Sequence, residues 1–330
     1  MLNKKIINFI QNKSILITGG TGSFGRYFTE YLIKNKIKFK KLIIYSRDEL
    51  KQYEMQKMIH HKNLRFFIGD IRDYDRIELA LKDVDIVIHA AALKQVPAAE
   101  YNPFEYIKTN ILGTQNILRA SMEKKVKNVI FLSTDKACSP LNLYGATKLA
   151  AEKSVIAAQN TIGKQSIKFS VVRYGNVFNS RGSVLPIFLN NKNNFIPITH
   201  KDMTRFMMTL KESVEFVLNS LVNSRGGEIF IPKLYTFKII DLAKAIDPSK
   251  KIKIIGIRPG EKIHEELFNF YESKNVIEFK KYYVLTSLEF DNSTNNYTNK
   301  RLKNNFSYNS HNSKLKLNEK NLKKIISKII

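Results

Sequence analysis

Ser14-Ile15-Leu16-Ile17-Thr18-Gly19-Gly20-Thr21-Gly22-Ser23-Phe24-Gly25 is a short apolar run that passes straight into Gly19-x-x-Gly22-x-x-Gly25. The run predicts a buried strand, and the amphipathic residues 26–34 predict a helix immediately after the glycines. Glycine lets the backbone approach a pyrophosphate, whose charge the helix N-terminus favours. Alone, such a run is also compatible with an ordinary tight turn. Its place in the first strand–helix unit makes it a dinucleotide site, with Gly19, Thr21, Gly22, Ser23, Phe24 and Gly25 as its expected lining.

Downstream, apolar runs alternate with amphipathic stretches. Strands are expected at 41–45, 64–68, 85–89, 129–132 and 169–173, and helices at 49–59, 77–81, 103–124 and 144–159. Continuous apolar strands separated by helices imply an α/β fold, a Rossmann-like doubly wound parallel sheet covered on both faces. After Gly175 the rhythm changes. Loop-like sequence runs to about residue 204, interrupted by apolar residues 184–189; a helix (211–222), a strand (228–231), a helix (237–246) and a strand (251–255) follow. Arg258-Pro259-Gly260-Glu261 is expected to lead into a helix ending near Phe268, residues 291–312 to form a loose loop, and 315–330 to end as an amphipathic helix. The expected division is a dinucleotide-binding domain of residues 1–175 plus about 207–235, and a smaller substrate-binding region of 176–206 and 236–330.

The 330 residues carry a formal charge of +26, which invites a nucleic-acid reading. The lysines are scattered among Asn and Ile, and no RNA-binding signature or zinc finger accompanies them, so no nucleic-acid partner is expected. A basic surface still attracts an anionic substrate. The single cysteine, Cys138, excludes an internal disulfide framework and fits a reducing compartment. No run of about 20 apolar residues occurs, so the reading is cytoplasmic, with no membrane partner. The histidines at 60, 61, 200 and 264 lack ligand spacing, and no metal is expected.

Further cofactor contacts are read at the strand ends. Ser46 and Arg47, after the second strand, suit the additional phosphate of NADP, and nearby Asp48 suits the ribose of NAD; the balance favours NADP. Asp70 can accept the adenine amino group and Ile71 can cover the ring, although both also suit a turn and helix cap. Ala90, Ala91 and Ala92 offer small side chains where the fourth strand meets the cofactor.

The chemistry is carried by Ser133-Thr134-Asp135-Lys136 and Tyr144-Gly145-Ala146-Thr147-Lys148. A Tyr-x-x-x-Lys pair shares one helix face, so the ammonium can depress the phenol pKa and the phenolate can take a proton from an alcohol. Thr134 can hydrogen-bond that alcohol or cap a turn. Tyr144 and Lys148 also serve the cofactor, Lys148 by holding the nicotinamide ribose. Asp135 beside Lys136 suggests removal of a C–H proton with loss of water.

Gly19 to Gly25 with Tyr144-x-x-x-Lys148 resembles the extended short-chain dehydrogenase/reductase family. Residues 46–52 (Ser-Arg-Asp-Glu-Leu-Lys-Gln), Ala92-Leu93-Lys94-Gln95-Val96-Pro97, Ser133-Thr134-Asp135-Lys136 and Arg258-Pro259-Gly260-Glu261-Lys262 narrow the resemblance to the inverting UDP-N-acetylglucosamine 4,6-dehydratases of pseudaminic-acid synthesis. The resemblance runs from about residue 13 to 290. It implies oxidation at C4 with Tyr144 as base, elimination of water across C5 and C6, return of hydride to C6, and protonation of C5 from the opposite face. The product implied is UDP-2-acetamido-2,6-dideoxy-β-L-arabino-hexos-4-ulose.

Asp135 suits the acid for the C6 hydroxyl if its pKa is raised, and Lys136 the C5 base if burial and neighbouring positive charge depress its own. Retaining dehydratases carry an Asp-Glu pair there, which makes Lys136 the mark of inversion. Lys94, Asn176, Val177, Arg181, Arg205, Arg258 and Glu261 follow as substrate residues, with arginine forks matched to phosphate oxygens. Thr199 joins them from a stretch shorter than the family pattern. The resemblance also implies a homo-oligomer, often a hexamer. A retaining dehydratase, a 4-epimerase of the same fold and a non-enzymatic NADP-binding regulator are the alternatives.

Overall fold

The computed structural model describes residues 4–178, 180, 182–286, 301–302 and 305–327. Arg181 and most of the expected loop at 291–312 lie outside them. The chain opens with a helix, Lys4–Ile10, and then enters the sheet. Six strands follow in chain order: β1 (Ser14–Thr18), β2 (Lys41–Ser46), β3 (Leu64–Ile68), β4 (Ile86–His89), β5 (Asn128–Thr134) and β6 (Lys168–Tyr174). β1 is buried along its whole length, as a strand covered on both faces must be. The later strands are β7 (Asn176–Val177), β8 (Phe195–Ile198), β9 (Thr204–Met208), β10 (Glu228–Pro232), β11 (Tyr235–Lys238), β12 (Lys251–Ile254), β13 (Glu266–Phe268), β14 (Val276–Glu278), β15 (Tyr282–Thr286) and β16 (Tyr308–Asn309).

Nine strands form one sheet in the order β14-β15-β10-β6-β5-β4-β1-β2-β3. Pairing is parallel from β3 through to β10, and antiparallel where β15 joins β10 and β14 joins β15. Chain order reverses between β1 and β4, which is where open α/β sheets bind ligands. Register aligns the strand ends there: Thr18 pairs with both Tyr45 and His89, and Thr134 with Tyr174. Gly19, Ser46, Ala90, Asp135 and Gly175 therefore lie along one edge.

The helices follow the apolar pattern. The first crossover helix, Ser23–Lys34, buries Phe28 and Leu32 and packs on the helix Leu210–Asn223. The helix Glu49–Met58 is capped by Asp48, whose carboxylate accepts from Lys51 N at 3.0 Å. The expected helix over 103–124 contains a π turn at Ile107–Leu112, between helices Pro103–Tyr106 and Gly113–Glu123. The widened turn sets Asn110 inward. Its amide donates to Leu93 O and Thr147 Oγ1 and accepts from Leu93 N.

A second core gathers Phe178, Leu185, Ile196, Met207, Phe237 and Leu242 with Leu322 and Ile326 of the terminal helix Glu319–Ile326. Here the structure differs from expectation in several places. The stretch expected as loop before residue 204 holds β7, the helix Val184–Leu189 and β8. No helix ends at Phe268. That segment is β13, paired with β16, with Leu267 and Phe268 fully buried. Residues 276–286, expected in the substrate region, extend the large sheet instead. β7, β8, β13 and β15 arise from pairing with distant segments, which local periodicity does not reveal.

Candidate active site

A cleft of about 610 Å³ runs along the carboxyl edge of the sheet. From the expected cofactor set, Gly19, Thr21, Gly22, Ser23, Phe24, Ser46, Arg47, Ile71, Ala90, Ala91 and Ala92 line it. Gly19 has φ +64°, and a Cβ there would meet the Ala91 backbone at 3.0 Å. Gly25 sits behind the wall, where a Cβ would come within 2.5 Å of Gly20 Cα. Only glycine lets the turn lie this close to the sheet and the helix follow it, so the residues present fit a dinucleotide cradle. Thr18 Oγ1 accepts from Ala90 N and Ala91 N, each at 3.1 Å, and donates to His89 Nδ1 at 2.7 Å. Burial, with the nearby Lys148 charge, pushes His89 down to about 3, so the ring is a neutral strut for the alanine turn.

Asp70 does not line the cleft. Burial alone would push its pKa up, but hydrogen bonds and charge from Arg72 hold the carboxyl below its ordinary range. Arg47 approaches the same carboxylate at 3.5 Å from the cleft side.

The reaction half is built where β5 ends. Thr134 caps a single 3₁₀ turn, Asp135–Ala137: its hydroxyl accepts from Lys136 N at 3.4 Å and donates to Asp135 Oδ1 at 3.0 Å. The helix Leu143–Thr161, capped by Asn142, lies directly against this turn. Gly145 permits the approach, since a Cβ there would collide with the Lys136 carbonyl oxygen. Thr134, Lys136, Tyr144 and Lys148 all face the cleft, while Asp135 lies fully buried beneath.

Lys136 Nζ donates to Asp135 Oδ1 at 3.0 Å and to Asn176 Oδ1 at 3.5 Å. Burial pushes the Asp135 pKa up, and Glu265 adds to that against the opposing charge of Lys136. Burial pulls Lys136 down, but Asp135 and Glu265 outweigh it and hold the ammonium above its ordinary value. The depression expected of Lys136 is therefore absent, because two carboxylates flank it. Burial pushes Tyr144 up to about 12, opposed by the Lys136 charge and a Thr134 hydrogen bond. Lys148 was expected to supply that charge. Its Nζ instead donates to Leu132 O at 2.7 Å and lies 3.8 Å over the Phe131 ring, and burial depresses it to about 7.

Among the expected substrate residues, Lys94, Asn176 and Val177 line the cleft. Burial, then the Lys136 charge, lowers the Lys94 pKa. Arg205, Arg258 and Glu261 do not line the cleft and form a connected group, with the Arg258 side chain exposed. Glu261 pairs with Arg258 at 2.9 Å and Arg205 at 3.5 Å. Thr199 is apart from them, buried and donating to Met203 Sδ at 3.2 Å.

One residue not singled out in the sequence completes the group. Glu265, 3% exposed, places Oε1 3.3 Å from Lys136 Nζ and 3.8 Å from Arg205 Nε. Its backbone is clamped by Ser310, whose Oγ accepts from Glu265 N and whose N donates to Glu265 O. The sequence signal, a carboxylate four residues after Glu261, was masked by the helix expected there.

The family model described as polysaccharide biosynthesis protein matches residues 15–287. A Campylobacter jejuni serotype O:2 protein named UDP-N-acetylglucosamine 4,6-dehydratase (inverting) is 50% identical over 96% of this chain and 97% of its own length. A Rickettsia bellii protein named UDP-glucose 4-epimerase is 45% identical over 82% of each chain. The solved structure of Pen from Bacillus thuringiensis superposes with a TM-score of 0.88 at 38% identity, covering 97% of this chain and 99% of that one. With the glycine turn, the Tyr144–Lys148 helix and the sheet order in place, the chain belongs to the polysaccharide biosynthesis protein family of extended short-chain dehydrogenases/reductases.

Proposed function

We propose that the protein is an inverting UDP-N-acetylglucosamine 4,6-dehydratase that uses NADP and forms UDP-2-acetamido-2,6-dideoxy-β-L-arabino-hexos-4-ulose. The observation that carries this is the Asp135–Lys136 pair, set beside Tyr144 between the dinucleotide cradle and the Arg205–Glu261–Arg258 group. The similarity to the Campylobacter jejuni protein supports it.

Gly19 to Phe24, Ser46, Arg47, Ile71 and Ala90 to Ala92 would hold NADP, which supplies the hydride acceptor for C4 and the hydride donor for C6. Asp48 supports NADP over NAD, because its carboxylate is engaged as a helix cap and paired with Lys51. Tyr144 takes the proton of the C4 hydroxyl, and Lys136 is the cation that favours its phenolate. Thr134 orients that hydroxyl, and Lys148, anchored on Leu132 O, positions the ribose. Asp135 is held towards its neutral form and protonates the departing C6 hydroxyl. Gly175 has no side chain to block it: a Cβ there would lie 3.3 Å from Asp135 Oδ2. Lys136 removes the C5 proton. Lys94, Asn176, Val177, Thr199, Arg181, Arg205, Arg258 and Glu261 make up the substrate side.

Exposed Tyr101, Phe104 and Leu112 support a homo-oligomer. Among the described residues no helix is long and apolar enough to cross a membrane, and the single cysteine, Cys138, free and buried, supports action in the cytoplasm.

A 4-epimerase is the second reading, favoured by the Rickettsia bellii relative. It leaves the Asp135–Lys136 pair without work, since exchanging hydrogen at C4 removes no C–H proton as an acid. The test is the product formed from UDP-N-acetylglucosamine. A 6-deoxy-4-keto sugar is expected, and UDP-N-acetylgalactosamine alone would transfer the assignment to the epimerase.

A further inference from the structure

Lys136 is flanked by two buried carboxylates, and each keeps one oxygen without a partner: Asp135 Oδ2 and Glu265 Oε2. They arrive from opposite parts of the chain. Asp135 follows β5, whereas Glu265 precedes β13 and is clamped by Ser310 next to β16. We infer that Glu265 is a positioning residue for dehydration, holding Lys136 over the cleft and exchanging a proton with it so that Asp135 stays an acid. This deepens the proposed dehydratase reading and rests on it.

The charges make the case. Burial favours neutral forms for all three groups, but they are not equivalent. Asp135 is pushed towards its neutral acid; Glu265, pushed up by burial, is pulled below its ordinary range by Lys136, Arg205 and Lys262. These opposite directions favour the proton on Asp135 and the negative charge on Glu265, the carboxylate paired with the Lys136 ammonium. Without Glu265, the ammonium would find its only anion in Asp135, and the acid would be lost. The other groups facing the cluster are Tyr144, whose phenol feels both Lys136 and Asp135, and Lys94, which feels Lys136.

The proton balance closes. When bound substrate excludes water from the cleft, desolvation favours the neutral pair: Lys136 passes one proton to Glu265 across the 3.3 Å contact, leaving an amine and a neutral carboxyl. The amine takes the C5 proton of the 4-keto sugar. The electrons of that C–H bond form the C5=C6 double bond as the C6–O bond breaks, and the hydroxyl leaves as water with the Asp135 proton. The cluster ends with Asp135 ionised, Lys136 as ammonium and Glu265 neutral, so its net charge never changes. No ion is stranded in the buried site, where an uncompensated charge is costly.

The experiment compares Glu265→Gln and Glu265→Asp with the wild-type protein across pH, using UDP-N-acetylglucosamine and NADP. Dehydration kcat, KM, calorimetric NADP binding and Tm are read together. Glu265→Gln is expected to lower kcat by about 10²-fold, within the usual range for general acid–base groups, with KM and NADP binding little changed. Removing the anion lowers the pKa of both Lys136 and Asp135. The high-pH limb of the bell-shaped kcat profile, set by ionisation of Asp135, should move to lower pH. The low-pH limb, set by Glu265 in the wild type, should pass to the Lys136 ammonium and move to higher pH, and Glu265→Asp should recover part of the rate. An unchanged rate and profile in Glu265→Gln would overturn the inference. So would a lost rate that follows a fallen Tm, with an unmoved profile and no recovery in Glu265→Asp. A wild-type protein that forms no 6-deoxy-4-keto sugar would instead defeat the dehydratase reading itself.

Discussion

At the scale of residues, Lys136 separates the competing chemistries. Tyr144 and Lys148 with a glycine-rich turn describe alcohol oxidation in general, and only a second base beside an acid extends it to loss of water. The depression expected of Lys136 is not found, since Asp135 and Glu265 hold its ammonium above the ordinary value. Lys136→Ala is expected to abolish dehydration while leaving NADP binding within a few-fold, because Lys136 lies on the reaction half of the cleft. Calorimetric titration beside the product assay checks this. Loss of cofactor affinity would mark Lys136 as structural. Residues carrying local signals were legible in the sequence: the glycines, the strand-end alanines, Asp135, Lys136 and Tyr144 all line or underlie the cleft. Glu265 was not, because its role depends on a contact 129 positions away from Lys136 in the chain.

At the scale of elements, the site depends on how closely the helix Leu143–Thr161 lies on the Asp135–Ala137 turn. Gly145 sets that spacing, and a methyl group there meets backbone that cannot rotate away. Gly145→Ala is expected to lower kcat at least about tenfold and to cost about 1–3 kcal/mol of stability, as overpacking does. Turnover together with a denaturant midpoint tests it, and wild-type values for both would show that the contact is dispensable. The parallel strands and their helices were legible because burial on both faces writes continuous apolar runs into the sequence. β13 and β15 were not, because their partners β16 and β10 lie far along the chain, and β14 is a three-residue strand in a hairpin with β15. The π turn was also missed, since Ile107–Leu112 continues an ordinary helical pattern and only the inward placement of Asn110 shows the extra residue.

At the scale of the whole molecule, the large sheet and the C-terminal segments are joined by a buried ion cluster under the reaction turn. Arg173 of β6, with no exposed surface, donates to both oxygens of Glu152 and of Glu272 and to Leu267 O. Arg173→Ala leaves two carboxylates without their cation and is expected to cost about 3–5 kcal/mol, seen as a lowered urea midpoint. A change under about 1 kcal/mol would show that the halves are held by apolar packing alone. Domain-level expectation was harder than element-level expectation for the same reason: residues 276–286 return to the large sheet after a long excursion through the second core.

Lys136 and the face from which C5 regains its proton together distinguish inverting dehydration from the alternatives. The direct measurement is incubation of the protein with UDP-N-acetylglucosamine and NADP in deuterated water, followed by NMR of the nucleotide sugar. The prediction is a 6-deoxy-4-keto product carrying deuterium at C5 with inverted configuration. A product with retained C5 configuration, or one with no deuterium there, would contradict it.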